Sequence, residues 1–209
     1  MRGFLRRAPD RETMPLPLFP LRTVLYPGGV LPLRVFEQRY IELTTACLRD
    51  RTPFGVCLIT EGDEVARAAA APLRFATVGT LATIDGCDMP ELGIFEVTAT
   101  GGARFEVLSH AMRADGLVTA EVAPIPPEPA VALAAAHAPL ARLLEVLANR
   151  VGPRHFPAAH AYGDASWVGH RLAELLPLPP AVKQGMLEIN DSGVRLELLQ
   201  RFLVQQGVL

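Results

Sequence analysis

In Gly93-Ile-Phe-Glu-Val-Thr-Ala-Thr-Gly-Gly-Ala-Arg-Phe-Glu-Val-Leu108, the apolar Phe95, Val97 and Ala99 alternate with Glu96, Thr98 and Thr100. After Gly101-Gly102 the alternation resumes at Phe105 and Val107. A period of two with β-branched and aromatic residues marks half-buried strands. The same texture extends outward to Phe54-Gly-Val-Cys-Leu-Ile59, Val78-Gly-Thr-Leu-Ala-Thr-Ile84 and Leu117-Val-Thr-Ala-Glu-Val122, so residues 14–126 read as strand material. Asp85-Gly86, Gly101-Gly102 and Asp115-Gly116 predict tight hairpin turns, and hence antiparallel neighbours. One helix interrupts the strands. Phe36, Tyr40, Leu43, Cys47 and Leu48 recur at helical spacing, with Glu37 in the first turn.

Past Pro124-Ile-Pro-Pro-Glu-Pro129 the periodicity changes. Leu140, Leu143, Leu144, Leu147 and Val151 form one helical stripe, and Val168, Leu172, Leu175 and Leu176 a second behind an Asp164 cap. Val182, Met186 and Ile189 form a third; Leu196, Leu199, Phe202 and Leu203 form a fourth behind Ser192, ending before Gly207. Pro139 belongs in the first turn of its helix, where its missing N–H costs nothing. The fold class is therefore α+β: a curled, mostly antiparallel sheet with one inserted helix over residues 14–126, then a helical lobe over residues 127–209. Residues 1–13, with four arginines and two acids, read as a mobile arm.

The 209 residues carry a formal charge of -2 and are half apolar, which gives no global field for a phosphate backbone and disfavours nucleic acid as a partner. Lys183 is the single lysine, set in Pro180-Ala-Val-Lys-Gln-Gly185, so no phosphate-binding loop exists. Its place early in an amphipathic helix predicts an exposed side chain. Ser109, Ser166 and Ser192 lie outside any Gly-x-Ser-x-Gly frame. Cys47 and Cys57 read as core thiols and Cys87 as a turn thiol that its flanking carboxylates make a poor nucleophile. The spacing of His155, His160 and His170 matches no metal-ligand pattern. No catalytic residue, metal or cofactor is expected. Three cysteines without Cys-x-x-Cys spacing, no export signal and no run long enough to span a bilayer predict a cytoplasmic protein with no membrane contact.

Met14-Pro-Leu-Pro-Leu-Phe-Pro-Leu21, Val24-Leu-Tyr-Pro-Gly28, Leu31-Pro-Leu-Arg-Val-Phe-Glu-Gln-Arg-Tyr40, Val78-Gly-Thr80 and Leu175-Leu-Pro-Leu178 together resemble the N-terminal substrate-binding domain of Lon-type proteases. The resemblance covers about residues 14–207. It implies a PUA-like β pseudobarrel with a helical lobe, a domain that the family fuses to an ATPase and a serine-lysine peptidase. It further implies a stand-alone, non-catalytic module that binds unfolded or partly folded polypeptides through their exposed apolar segments, with a separate protease as a further partner. RNA binding, known for other PUA-like folds, is the alternative; self-association stays open.

Physically, most of the shared motif reads as scaffold. Pro27, Gly28 and Gly29 form a turn too tight for a side chain, Phe36 and Tyr40 pin the helix to the sheet, and Glu37 and Arg39 tie the helix start to its neighbours. A receptor for unfolded chains needs exposed apolar groups or free sheet edges. The loop Gly152-Pro-Arg-His-Phe-Pro-Ala-Ala-His-Ala-Tyr-Gly163 offers Arg154, Phe156 and Tyr162, and Tyr26 beside the turn is expected at a surface as well. These four are the candidate peptide-binding residues.

Overall fold

The structure, a computed structural model, describes residues 12–62, 73–152 and 156–209. Most of the arm expected at residues 1–13 thus lies outside the described residues. Among the described residues seven strands are formed: β1 (Met14–Leu21), β2 (Val30–Val35), β3 (Phe54–Glu61), β4 (Arg74–Phe75), β5 (Val78–Glu91), β6 (Ile94–Met112) and β7 (Val118–Pro124). They pair in the order β1-β7-β6-β5-β3-β4, and β1 also pairs with β3, so five strands close into a ring. The β1–β3 contact is parallel, with Leu18 opposite Gly55, and the other ladders are antiparallel. Closure removes the free edges that an open sheet would leave. β2 lies outside the ring, paired with the first half of β6.

The turns differ from the sequence reading at two of three places. β5 runs straight through Asp85-Gly86 and β6 through Gly101-Gly102; the reversal between them falls at Leu92-Gly93, with Gly93 at φ +81°. Register shifts between Thr80 and Ala82 and between Ile84 and Gly86 absorb the extra residues as bulges, so a turn-like dipeptide here bends a strand without ending it. Asp115-Gly116 does turn, with Gly116 at φ +83°.

α1 spans Gln38–Asp50 and buries Tyr40, Leu43, Thr44 and Cys47. Tyr40 stacks on Phe19 of β1 at 3.8 Å between centroids. Phe36 lies ahead of the helix and is 55% exposed, so it does not pin α1, and Leu48 also faces outward. Glu37 stands at the N-cap position and holds Arg39 in a 2.9 Å ion pair, while Arg39 donates to the Gly116 carbonyl.

Four helices follow: α2 (Ala138–Val151), α3 (Ala165–Leu175), α4 (Pro180–Glu188) and α5 (Ser192–Gln205). Asp164 caps α3 by accepting from the Trp167 N–H. α5 is capped by Asp191, which accepts from the Val194 N–H; Ser192 is its buried first residue rather than its cap. Val182 is largely exposed, so the α4 stripe rests on Gln184, Met186 and Leu187. The helices share one apolar cluster, built on Leu140, Leu144, Leu172 and Leu199, with Val24, Tyr26 and Leu58 from the strand region. That shared core seats the helices on the barrel. Among the described residues no helix is long and apolar enough to cross a membrane.

Candidate functional site

The seam between barrel and helices is charged as well as apolar. α4 ends with carbonyls that have no partner of their own in the helix, as every helix does. Arg195, fully buried on α5, donates from Nε to the Met186 carbonyl at 2.9 Å. Arg104 on β6 donates to the Leu187 and Ile189 carbonyls at 2.6 and 3.1 Å and to Asn190 Oδ1 at 2.7 Å. Guanidinium groups suit this place because they supply several donors to the negative end of the helix dipole.

Two buried cations need an anion, and Glu128 supplies it. Its carboxylate takes both Arg195 terminal nitrogens, stands 3.6 Å from Arg104 Nη2 and accepts from the Ser166 hydroxyl at 2.9 Å. Burial by itself would raise this carboxyl, but its contacts with His170 and Arg195 hold it well below the usual carboxylate range. His170 is buried beside it with Nε2 3.5 Å from Glu128 Oε1, a long contact that does not meet hydrogen-bond geometry. Desolvation lowers its pKa to about 4, so the ring is neutral near pH 7.

A second charged group lies under the Pro27 turn. Arg171 Nη2 donates to the Pro27 carbonyl and Nη1 pairs with Glu174 at 3.1 Å. Lys183 is half-buried rather than exposed: Nζ donates at 2.6 Å to the Glu174 carbonyl in the last turn of α3, and burial pulls its pKa down. Burial pushes the Glu174 carboxyl up to about 7 against the pull of Arg171 and Lys183. The turn fits tightly over this group, since a Cβ on Gly29 would come 2.5 Å from Glu174 Oε1.

Above the first charged cluster a cleft of about 470 Å³ opens between the barrel and α3. One wall is Gly102 and Ala103 of β6; Ile125, Pro127 and Trp167 make the apolar side, and Arg104, Glu128, Ser166 and His170 form the polar floor. Trp167, which sequence reasoning missed, faces the cleft while also stacking edge-on with Phe156 and Tyr162 at 5.7 and 5.1 Å.

The four residues expected to contact peptide are not brought together. Tyr26 is fully buried rather than at a surface, because its hydroxyl reaches the Lys183 carbonyl at 2.7 Å and its ring lies against His170. Phe156 is likewise buried in the helical cluster and Tyr162 is half-buried against Trp167. Arg154 and His155 lie outside the described residues. His160 packs among the aromatic rings, separate from His170. Cys47 and Cys57 are buried, the latter with its thiol pushed up to about 12 by desolvation, and the half-buried Cys87 thiol is raised by burial and then by Asp88.

Among the exposed apolar side chains, which also include Met112 and Val204, those at the end of the β5–β6 hairpin lie close in sequence. Leu92 at the turn is 96% exposed and Met89 56%. Val35 pairs with Phe95, so the exposed Phe36 continues toward the same end.

The family model of the ATP-dependent protease La (LON) substrate-binding domain matches residues 15–205. The chain belongs to that family. Within the LON family it is 36% identical over 102 residues to a Lon protease of Anaeromyxobacter dehalogenans (strain 2CP-C) and 35% identical over 102 residues to Lon protease 2 of Myxococcus xanthus. Each match takes 47% of this chain and 12% of the relative, so the chain corresponds to a small part of those proteins. A crystal structure of a Lon N-terminal domain protein from Xanthomonas campestris is similar over 90% of this chain and 98% of that one, with TM-score 0.71 and 35% identity. The N-terminal domain of the Mycobacterium avium complex Lon protease shares the fold at TM-score 0.59 and 18% identity, over 89% of this chain and 96% of that one. The α+β barrel with appended helices is thus the fold of the LON substrate-binding domain.

Proposed function

We propose that this LON-family chain is a non-catalytic module that captures exposed apolar segments of unfolded or partly folded polypeptides and can hand them to a separate protease. The observation that carries the reading is the apolar hairpin end, Met89 and Leu92 with Phe36 nearby, left uncovered on a domain of the substrate-binding family. Large apolar side chains lose favourable free energy in water and gain it against another apolar surface. Folded proteins have buried their equivalents, so such a surface discriminates in favour of unfolded chains. Arg104, Arg171 and Arg195 contribute nothing to a nucleic-acid reading, because they are turned into the protein and hold its own carbonyls and carboxylates.

Immobilised protein offered α-lactalbumin in its native form and after reduction and carboxymethylation tests the reading. Retention of the unfolded form alone is expected. Equal, negligible retention of both would reject it.

A further inference from the structure

β6 changes partners at the rim of the cleft. Its first half runs with β2 as far as Thr100 and its second half with β7 from Phe105. On the β5 side the register steps from Ala82↔Gly101 to Thr80↔Arg104. Gly102 and Ala103 therefore form a bulge opposite Leu81, outside the register pairs of all three ladders, and both are exposed. A bulge leaves an extra residue outside the ladder where another backbone can approach, and a glycine there lets that backbone come close.

The rest of the cleft is built to match. Trp167, Ile125 and Pro127 provide an apolar side across from this edge. On the floor, His170 is more than nine-tenths buried, and its Nε2 has no hydrogen-bond partner among the described residues. A buried polar atom without a partner is destabilising, and a ligand that supplies one relieves that. With Arg104 and Arg195 engaged by the Met186, Leu187 and Ile189 carbonyls, Asn190 and Glu128, the polar atom left on the floor is Nε2 of the neutral His170, which suits an uncharged polar group such as an amide.

We infer that the cleft takes a short extended polypeptide segment whose main chain pairs with Gly102 and Ala103, with one large apolar side chain against Trp167 and an uncharged polar group on His170 Nε2. This rests on the polypeptide-binding reading and gives one segment of the client a place distinct from the hairpin end.

Titrating the ¹⁵N-labelled full chain with N-acetyl-Gly-Val-Phe-Val-Gly-amide tests it, with N-acetyl-Gly-Ser-Asp-Ser-Gly-amide as control. Saturable shifts are expected at the Gly102 and Ala103 amides and at the indole of Trp167, the single tryptophan, with none from the control. Ala103→Arg, at an exposed position, weakens the apolar peptide by about tenfold or more. Silent amides, or shifts scattered elsewhere, overturn the assignment, and this result comes from the unsubstituted chain whether or not the variant folds. Silent amides with unfolded α-lactalbumin still retained would remove the cleft and leave the broader reading standing. Responding amides without that retention would support the cleft and remove the broader reading.

Discussion

The Tyr26 hydroxyl donates a 2.7 Å hydrogen bond to the Lys183 carbonyl, joining the Pro27 turn of the barrel to α4 across 157 positions of sequence. The ring is fully buried, and desolvation drives its pKa far above the ordinary phenol value, so the group is a neutral donor at any working pH. Tyr26→Phe is expected to cost about 1 kcal/mol, the net worth of one such bond. Tyr26→Ala, which also empties the ring's volume, costs about 3 to 5 kcal/mol. Urea unfolding followed by far-UV circular dichroism measures both.

Backbone contact predicts a sharp contrast between two glycines of the sheet. A Cβ on Gly101 would collide with the Tyr26 carbonyl, whereas a Cβ on Gly86 meets nothing within 4 Å. Gly101→Ala should destabilise by about 1 to 3 kcal/mol as the turn is forced off β6. Gly86→Ala should change stability by less than about 0.5 kcal/mol. Similar melting temperatures for the two variants would mean that the turn yields freely.

Removing Arg195 strands Glu128 in the seam. Arg195→Ala is expected to cost about 3 to 5 kcal/mol, because a buried carboxylate loses its main counter-charge. Arg195→Lys should recover little, since one ammonium cannot reach Glu128 and the Met186 carbonyl together. Arg201→Ala, breaking only an exposed 3.6 Å pair with Glu197, should fall within about 0.5 kcal/mol of the parent. Denaturant midpoints for the three variants provide the check.

Two buried groups pull the pH dependence in opposite directions. Glu174 titrates near 7 in the folded chain against an ordinary 4.5, so the folded state holds more protons and stability falls as pH rises through that window. His170 titrates near 4 against 6.5, so the folded state holds fewer protons and stability falls as pH drops from 6.5 toward 4. The two effects offset each other between about pH 4.5 and 6.5. Glu174→Gln removes one of them. Whatever its constant offset from the parent, the variant should gain on it from pH 4.5 to 8 by on the order of 3 kcal/mol. Parallel curves for the two proteins across that range would contradict the buried, partly protonated carboxyl.

Local pattern made the elements legible, because period-two and period-3.6 apolar spacing is a property of neighbouring residues. That is why the Asp164 cap and the helices after Pro129 could be read directly. Long-range pairing was not legible. Asp85-Gly86 and Gly101-Gly102 look like turns until strands on either side carry the ladder through them as bulges. Tyr26 looks like a surface residue until a carbonyl 157 positions away accepts its hydrogen bond. Phe36 fits the α1 stripe by spacing, but the helix starts after it. The candidate site suffered most. Arg104 sits 83 residues from the Leu187 carbonyl that it holds, and Trp167 gains its place at the cleft only when α3 docks on the barrel.

Calorimetric titration of reduced, carboxymethylated α-lactalbumin into the full chain, alongside the Met89→Asp/Leu92→Asp double variant, tests whether the hairpin end captures unfolded polypeptide. Both positions are exposed, so the fold should persist by circular dichroism. Measurable binding with a negative heat-capacity change is expected for the parent, and a loss of about tenfold or more in affinity for the variant. Unchanged affinity in a folded variant, or equal binding of native α-lactalbumin, would contradict it.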